Sequence, residues 1–216
     1  MEIEFNDHKF NELILYIAQQ SETDPRFGAT KLNKLLFYID FGAYRILGTP
    51  VAGATYQHLP AGPAPREMLT ARRYLLDSGA ARMEIRPYFA STQERLHPHR
   101  DADLREFSPQ ERTIIDNVID EFWNYNARSI SAYSHEEWGW RVTKDFDDIP
   151  YYLAWVSSDP LTPEQIMMGQ EVAKVHGHRR NGTKSKWARC RECGHKVRAT
   201  GPTAKLRLTV HNAANY

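Results

Sequence analysis

The chain has few of the groups from which enzymes build a nucleophile or a metal site. Only two of its 216 residues are cysteines, Cys190 and Cys193, and both lie close to the C-terminal end. No Gly-x-Ser-x-Gly elbow, no His-Glu-x-x-His helix and no phosphate loop of the GxGxxG or GxxxxGK[ST] type occurs. The nearest approach, His135-Glu136-Glu137-Trp138-Gly139, has glycine where the second histidine belongs. These absences count against serine hydrolases, zincins and nucleotide-dependent enzymes, and the expectation is a protein that is not an enzyme. Long apolar stretches are missing too. The longest, Leu13 to Ala18, is far short of the roughly 20 residues that a membrane-spanning helix needs. The opening Met1-Glu2-Ile3-Glu4-Phe5 is acidic where a secretory signal is basic and then apolar. The expected setting is therefore the cytoplasm, with no membrane partner. There a Cys-x-x-Cys pair points to metal or redox chemistry rather than to a structural disulfide.

What is present is an ordinary folded composition, 41% hydrophobic, 12% aromatic and 25% charged, in a chain long enough to bury a sizeable core. The net charge of +1 conceals an asymmetry. Residues 1–173 hold 17 Lys and Arg against 26 Asp and Glu, a net of −9, whereas residues 174–216 hold 11 against the single Glu192, a net of +10. The chain reads as an acidic body followed by a basic tail.

Periodicity divides the body. Phe10, Leu13, Ile14, Ile17 and Ala18 follow helical spacing and predict a first helix over Asp7 to Gln20. A second helix, capped by Thr30 and ending near Gly48, carries Leu32, Leu35, Leu36, Ile39, Ala43 and Ile46 and is apolar on more than one face. Ala54 to His58 reads as a short strand among prolines and glycines. Pro65 suits the first turn of a third helix that points Met68, Leu69, Leu75 and Leu76 inward and turns Arg72 and Arg73 to water, with Gly79 as its stop. Ala81 to Phe89 and Gln93 to His97 alternate as a β-hairpin, so helix and hairpin together suggest a winged-helix-like element. Ser108-Pro109-Gln110-Glu111 combines a capping box with proline at the first helical position, ahead of Ile114, Ile115, Val118, Ile119 and Phe122. Short helices follow over Ser129 to Glu136 and Trp138 to Lys144. Thr162-Pro163-Glu164-Gln165 starts a last helix through Met168 and Val172. The expected fold is mainly helical, α+β, with one small hairpin: a domain over 1–173 and a basic tail over 174–216.

Three blocks carry a family resemblance. Lys31-Leu32-Asn33-Lys34-Leu35-Leu36-Phe37-Tyr38 with Gly48-Thr49-Pro50 forms the first, and Tyr56-Gln57-His58-Leu59-Pro60-Ala61-Gly62-Pro63-Ala64-Pro65 the second. Ser129-Ile130-Ser131-Ala132-Tyr133-Ser134-His135-Glu136-Glu137-Trp138 forms the third. In this order and spacing they resemble the Panacea, or SocA-like, domain family over about residues 5–173. The resemblance implies a mostly helical antitoxin of a two-gene toxin–antitoxin pair, whose partner is a cognate toxin that it neutralises by direct contact. One related type instead delivers its toxin to a protease. The motif residues expected to bind the partner or to hold the motif are Lys31, Lys34, Tyr38, Asp40, Tyr56, Gly62, Pro63, His135 and Trp138.

Two of these carry readings of their own. Asp40 interrupts an apolar helix, either joining Tyr38 and Tyr44 in a polar cluster that a partner reads or facing solvent. His135, beside Glu136, Glu137 and Trp138, reads as a packing corner rather than a general base. In the tail, Lys186 to Thr200 is similar to the first knuckle of the zinc ribbon that ends SprT-like proteins, without the second Cys pair. Zinc there needs Cys190 and Cys193 plus two of His176, His178, His195 and His211, with His178 and His195 the preferred pair. Otherwise the tail is a basic arm with weak, nonspecific attraction for nucleic acid. A rival reading makes the hairpin a wing and the protein a DNA-binding regulator.

Overall fold

The computed structural model describes residues 3–88, 91–156, 187–189 and 196–198, together with Met167. The chain divides into two units, Met1–Ala154 and Trp155–Tyr216.

In the first unit the apolar stripe of α1 (Asp7–Gln20) becomes core: Phe10, Leu13, Ile14 and Ile17 are fully buried. Asn6 caps the helix by accepting a hydrogen bond from the Lys9 N–H at 2.9 Å. Helix α2 (Ala29–Leu47) lies at the centre, packed against α1, α4 (Pro109–Glu121) and α5 (Ala127–Ser134). That position explains its apolarity on more than one face, with Leu32, Leu35, Leu36, Phe37, Ile39 and Ala43 all buried. It stops at Gly48, whose φ of +78° suits glycine. Its start differs from the expected Thr30 cap: Gly28 occupies the cap position and no side chain bonds to the exposed N–H groups.

The short strand shrinks to β1 (Tyr56–Gln57), antiparallel to β2 (Ala64–Pro65). Pro65 therefore pairs with Tyr56 and does not open a helix, a correction that reflects the ladder available on one side only of a two-strand ribbon. Helix α3 (Met68–Asp77) starts three residues later. Its Leu75 is buried, but Leu69 is 67% exposed, because a ten-residue helix lying on the surface buries one narrow stripe. Arg73 faces water as expected, while Arg72 bonds Glu94 at 3.0 Å.

The hairpin forms in the expected place, β3 (Ala81–Tyr88) against β4 (Ser91–Pro98), in register from Ala81↔Pro98 to Tyr88↔Ser91. Buried Arg95 fastens it to the α1–α2 loop by donating to the carbonyls of Ser21, Glu22 and Asp24 at 2.5 to 2.8 Å. The capping box of α4 is complete, with the Ser108 hydroxyl accepting from the Glu111 N–H and the Glu111 carboxylate accepting from the Ser108 N–H. Helices α5 and α6 (Trp138–Val142) and a 3₁₀ turn (Tyr151–Trp155) complete the described order of this part of the chain. The architecture is α+β and mainly helical, and no described helix is long and apolar enough to cross a membrane.

In the second unit, β5 (Trp187–Arg189) pairs antiparallel with β6 (Lys196–Arg198). The helix expected after Thr162, apart from helical Met167, and the domain boundary expected after Ala173 lie outside the described residues. So do Cys190, Cys193, His176, His178, His195 and His211.

Candidate functional site

The motif residues converge around α2, because Lys31, Lys34 and Tyr38 stand three and four residues apart and share one side of the helix. Lys31 is buried, and its three ammonium protons meet three acceptors: Asp24 Oδ2 at 2.6 Å and the carbonyls of Trp123 and Tyr125, each at 2.9 Å. Burial lowers its pKa, and the Asp24 carboxylate pulls the other way. The side chain pins the α4–α5 connection to the loop before α2.

Lys34 is just as buried, at 2% exposure, but far less satisfied. Its Nζ donates to the Pro63 carbonyl at 2.9 Å, no carboxylate among the described residues pairs with it, and burial brings its pKa down to about 7. Gly62 closes over it with φ +92°. A Cβ at this position would run into Ser134 Oγ and the Lys34 Cε. Gly62-Pro63 is thus a turn that lets backbone lie directly on Lys34 and on the end of α5.

At that end the Ser134 hydroxyl donates to the Ser131 carbonyl at 2.8 Å, and His135 takes the C-cap position. The His135 ring stacks on Trp140 with centroids 4.0 Å apart, and His58 stacks on the same indole at 4.3 Å. Trp140 Nε1 donates to the Leu59 carbonyl at 3.1 Å, holding the turn from the other side. Burial and the neighbouring Lys34 and His58 push the His135 pKa down, against the opposing pull of the Pro60 carbonyl and Glu136. Its Nε2 is enclosed with no hydrogen-bond partner among the described residues.

Asp40 answers neither expectation. It is fully buried, accepts from the N–H groups of Ala52 and Ala54 at 2.8 and 3.4 Å, and accepts from the hydroxyls of Tyr56 and Tyr151 at 3.0 and 3.2 Å. Burial raises its pKa and the four donors oppose the rise. Neither a partner nor solvent reaches it. Tyr44 packs at a tilt against Tyr151, with ring centroids 5.5 Å apart. Tyr38 stacks on Phe122 at 4.5 Å, with its enclosed hydroxyl beside the Glu137 carboxylate but without a well-formed hydrogen bond. Trp138 lies against the Arg141 guanidinium, and its Nε1 is enclosed without a partner among the described residues.

The arrangement holds a frame. Ser134 donates to a backbone carbonyl, Asp40 is wrapped by donors, and no described group of three or more His, Cys, Asp or Glu side chains is placed to hold a metal. Two recesses of about 200 Å³ each are lined by other residues, one by Gln19, His97 and Arg100, the other by Glu4, Lys9 and Val51. The structure brings Lys34, Gly62, Pro63 and His135 together and sets Lys31 and the Asp40–Tyr56 pair at separate points along α2. Sequence reasoning missed Asp24, His58, Trp140 and Tyr151 as the partners. Only Asp24, an acidic residue seven before Lys31, carried a local signal.

A family model described as the SocA-like antitoxin, Panacea domain, matches residues 32–141. The chain belongs to this family. The match takes in Lys34, Tyr38, Asp40, Tyr56, Gly62, Pro63, His135 and Trp138, and leaves out Lys31, its partner Asp24 and Tyr151. No curated protein and no solved structure matches the chain. Of the motif residues, Lys31, Lys34, Asp40, Tyr56, Gly62 and Pro63 are buried in this structure, and Tyr38, His135 and Trp138 are partly exposed.

Proposed function

We propose that this protein is the antitoxin of a toxin–antitoxin pair and neutralises its toxin by direct protein binding. The family match over residues 32–141 carries the reading. The interior frame supports it, since a neutraliser needs a rigid, preorganised surface and no catalytic group. The net charge of −9 over residues 1–173 favours a basic toxin face and accelerates the encounter more than it deepens affinity.

The winged-helix alternative needs free cations on the hairpin. Of the hairpin cations, Arg95 is buried on loop carbonyls and Arg86 bonds Gln93, while Arg82 is exposed, so what favours a protein partner over a DNA duplex is the net negative charge of residues 1–173. Co-expression with the product of the adjacent gene tests the reading. That product is expected to arrest growth alone, to be tolerated with this protein and to co-purify with it. A harmless neighbour refutes the reading, and rescue without a complex in size-exclusion chromatography replaces it with protease delivery or transcriptional control.

A further inference from the structure

Beyond the end of the family match at Arg141, the loop after α6 combines two features that folding alone does not favour. Phe146 has φ +67°, the one positive φ of a non-glycine residue among those described, and its side chain is 64% exposed. A left-handed backbone is costly for a residue with a Cβ, and an exposed phenyl ring forfeits burial. Both features are nevertheless held in place. The Phe146 N–H donates to the His58 carbonyl and its carbonyl accepts from Arg66 Nη2, each at 2.8 Å. On either side the His58 N–H donates to the Asp147 carbonyl at 2.9 Å and the Ile149 N–H to the Tyr56 carbonyl at 2.7 Å. The loop is stitched along β1, so the ring is presented to solvent on a fixed backbone.

Three carboxylates flank it in the chain, together with exposed Lys144 and with the Arg66 guanidinium that pairs with Asp148. Asp145, Asp147 and Asp148 are all exposed. Asp145 lies 3.4 Å from His58 Nε2, Asp147 accepts from the Lys144 N–H, and Asp148 accepts from Arg66 Nε at 2.6 Å. Val142, 41% exposed, adds apolar surface nearby in the chain. A rigid aromatic with an acidic rim matches the anatomy of a protein interface, an apolar anchor within a polar ring.

We propose that Phe146 anchors the docking surface for the cognate toxin, entering an apolar pocket that Lys and Arg surround on that partner. The proposal rests on the neutraliser reading above. The experiment uses the full chain and the purified adjacent gene product, with affinity and rates measured at low and moderate salt. Phe146→Ala is expected to weaken binding about tenfold or more, mainly through faster dissociation. Phe146→Gly is expected to lose binding equally while raising the thermal midpoint of the free protein, because glycine relieves the positive φ; a purely structural residue does not lose binding while gaining stability. Asp145→Asn with Asp148→Asn is expected to slow association and flatten its salt dependence. Wild-type binding with unchanged Phe146 variants refutes the surface alone. Failure of the wild type to bind refutes the neutraliser reading and the surface with it. A dimer of this chain that Phe146→Ala dissolves assigns the ring to a second copy and overturns the toxin assignment.

Discussion

Replacing Lys34 by methionine is expected to stabilise the protein near neutrality and to destabilise it in alkali. The ordinary lysine value is 10.5 and the buried side chain sits at about 7, a gap equivalent to about 5 kcal/mol. Between these values the unfolded chain holds a proton that the folded chain has released, so stability rises with pH across this window and the full penalty applies below it. Methionine fills nearly the same volume and abolishes the penalty, but it leaves the Pro63 carbonyl without its donor, at a cost of about 1 to 3 kcal/mol. The balance is a gain of about 2 to 4 kcal/mol near pH 6, turning into a loss of about 1 to 3 kcal/mol above pH 10, where neutral lysine still donates. Urea unfolding of wild type and Lys34→Met in parallel over this range measures the difference, from which titrating groups other than the neighbouring His135 cancel. Two profiles that run parallel, or a variant less stable at pH 6, would refute the burial argument and show that Lys34 stays charged and satisfied.

Lys31→Met, one turn earlier on the same helix, is expected to do the opposite and destabilise by about 3 to 5 kcal/mol at neutral pH, because it takes the donor from buried Asp24 Oδ2 and from two carbonyls and leaves Asp24 only its contacts with Arg26; urea midpoints at a single pH check this. Gly62→Ala is expected to cost about 2 kcal/mol or more, since its Cβ meets Ser134 Oγ and Lys34 Cε at φ +92°. Its thermal midpoint measures the loss, and an unchanged midpoint would mean that the turn lifts off Lys34 freely.

The sequence by itself determined the elements whose signals are local. The boundaries of α1, the Gly48 stop and the Ser108 capping box depend on periodicity and on groups within four residues of one another, and the hairpin on alternation along two adjacent segments. The motif blocks were legible in the same way, as residue types at fixed spacing. Tertiary structure alone decided what those residues do. Lys31 and Lys34 look equivalent in the chain, yet one meets three acceptors and the other meets one, because Asp24, Trp123, Tyr125 and Pro63 arrive from other elements. Asp40 is polar in sequence and interior in the fold for the same reason: its four donors come from the 52–54 loop, Tyr56 and Tyr151. The positive φ of Phe146 is likewise set by hydrogen bonds to His58 and Arg66, far away in the chain. Satisfaction of buried polar groups is a property of three-dimensional neighbours, and it separates residues that build the frame from those left on its surface.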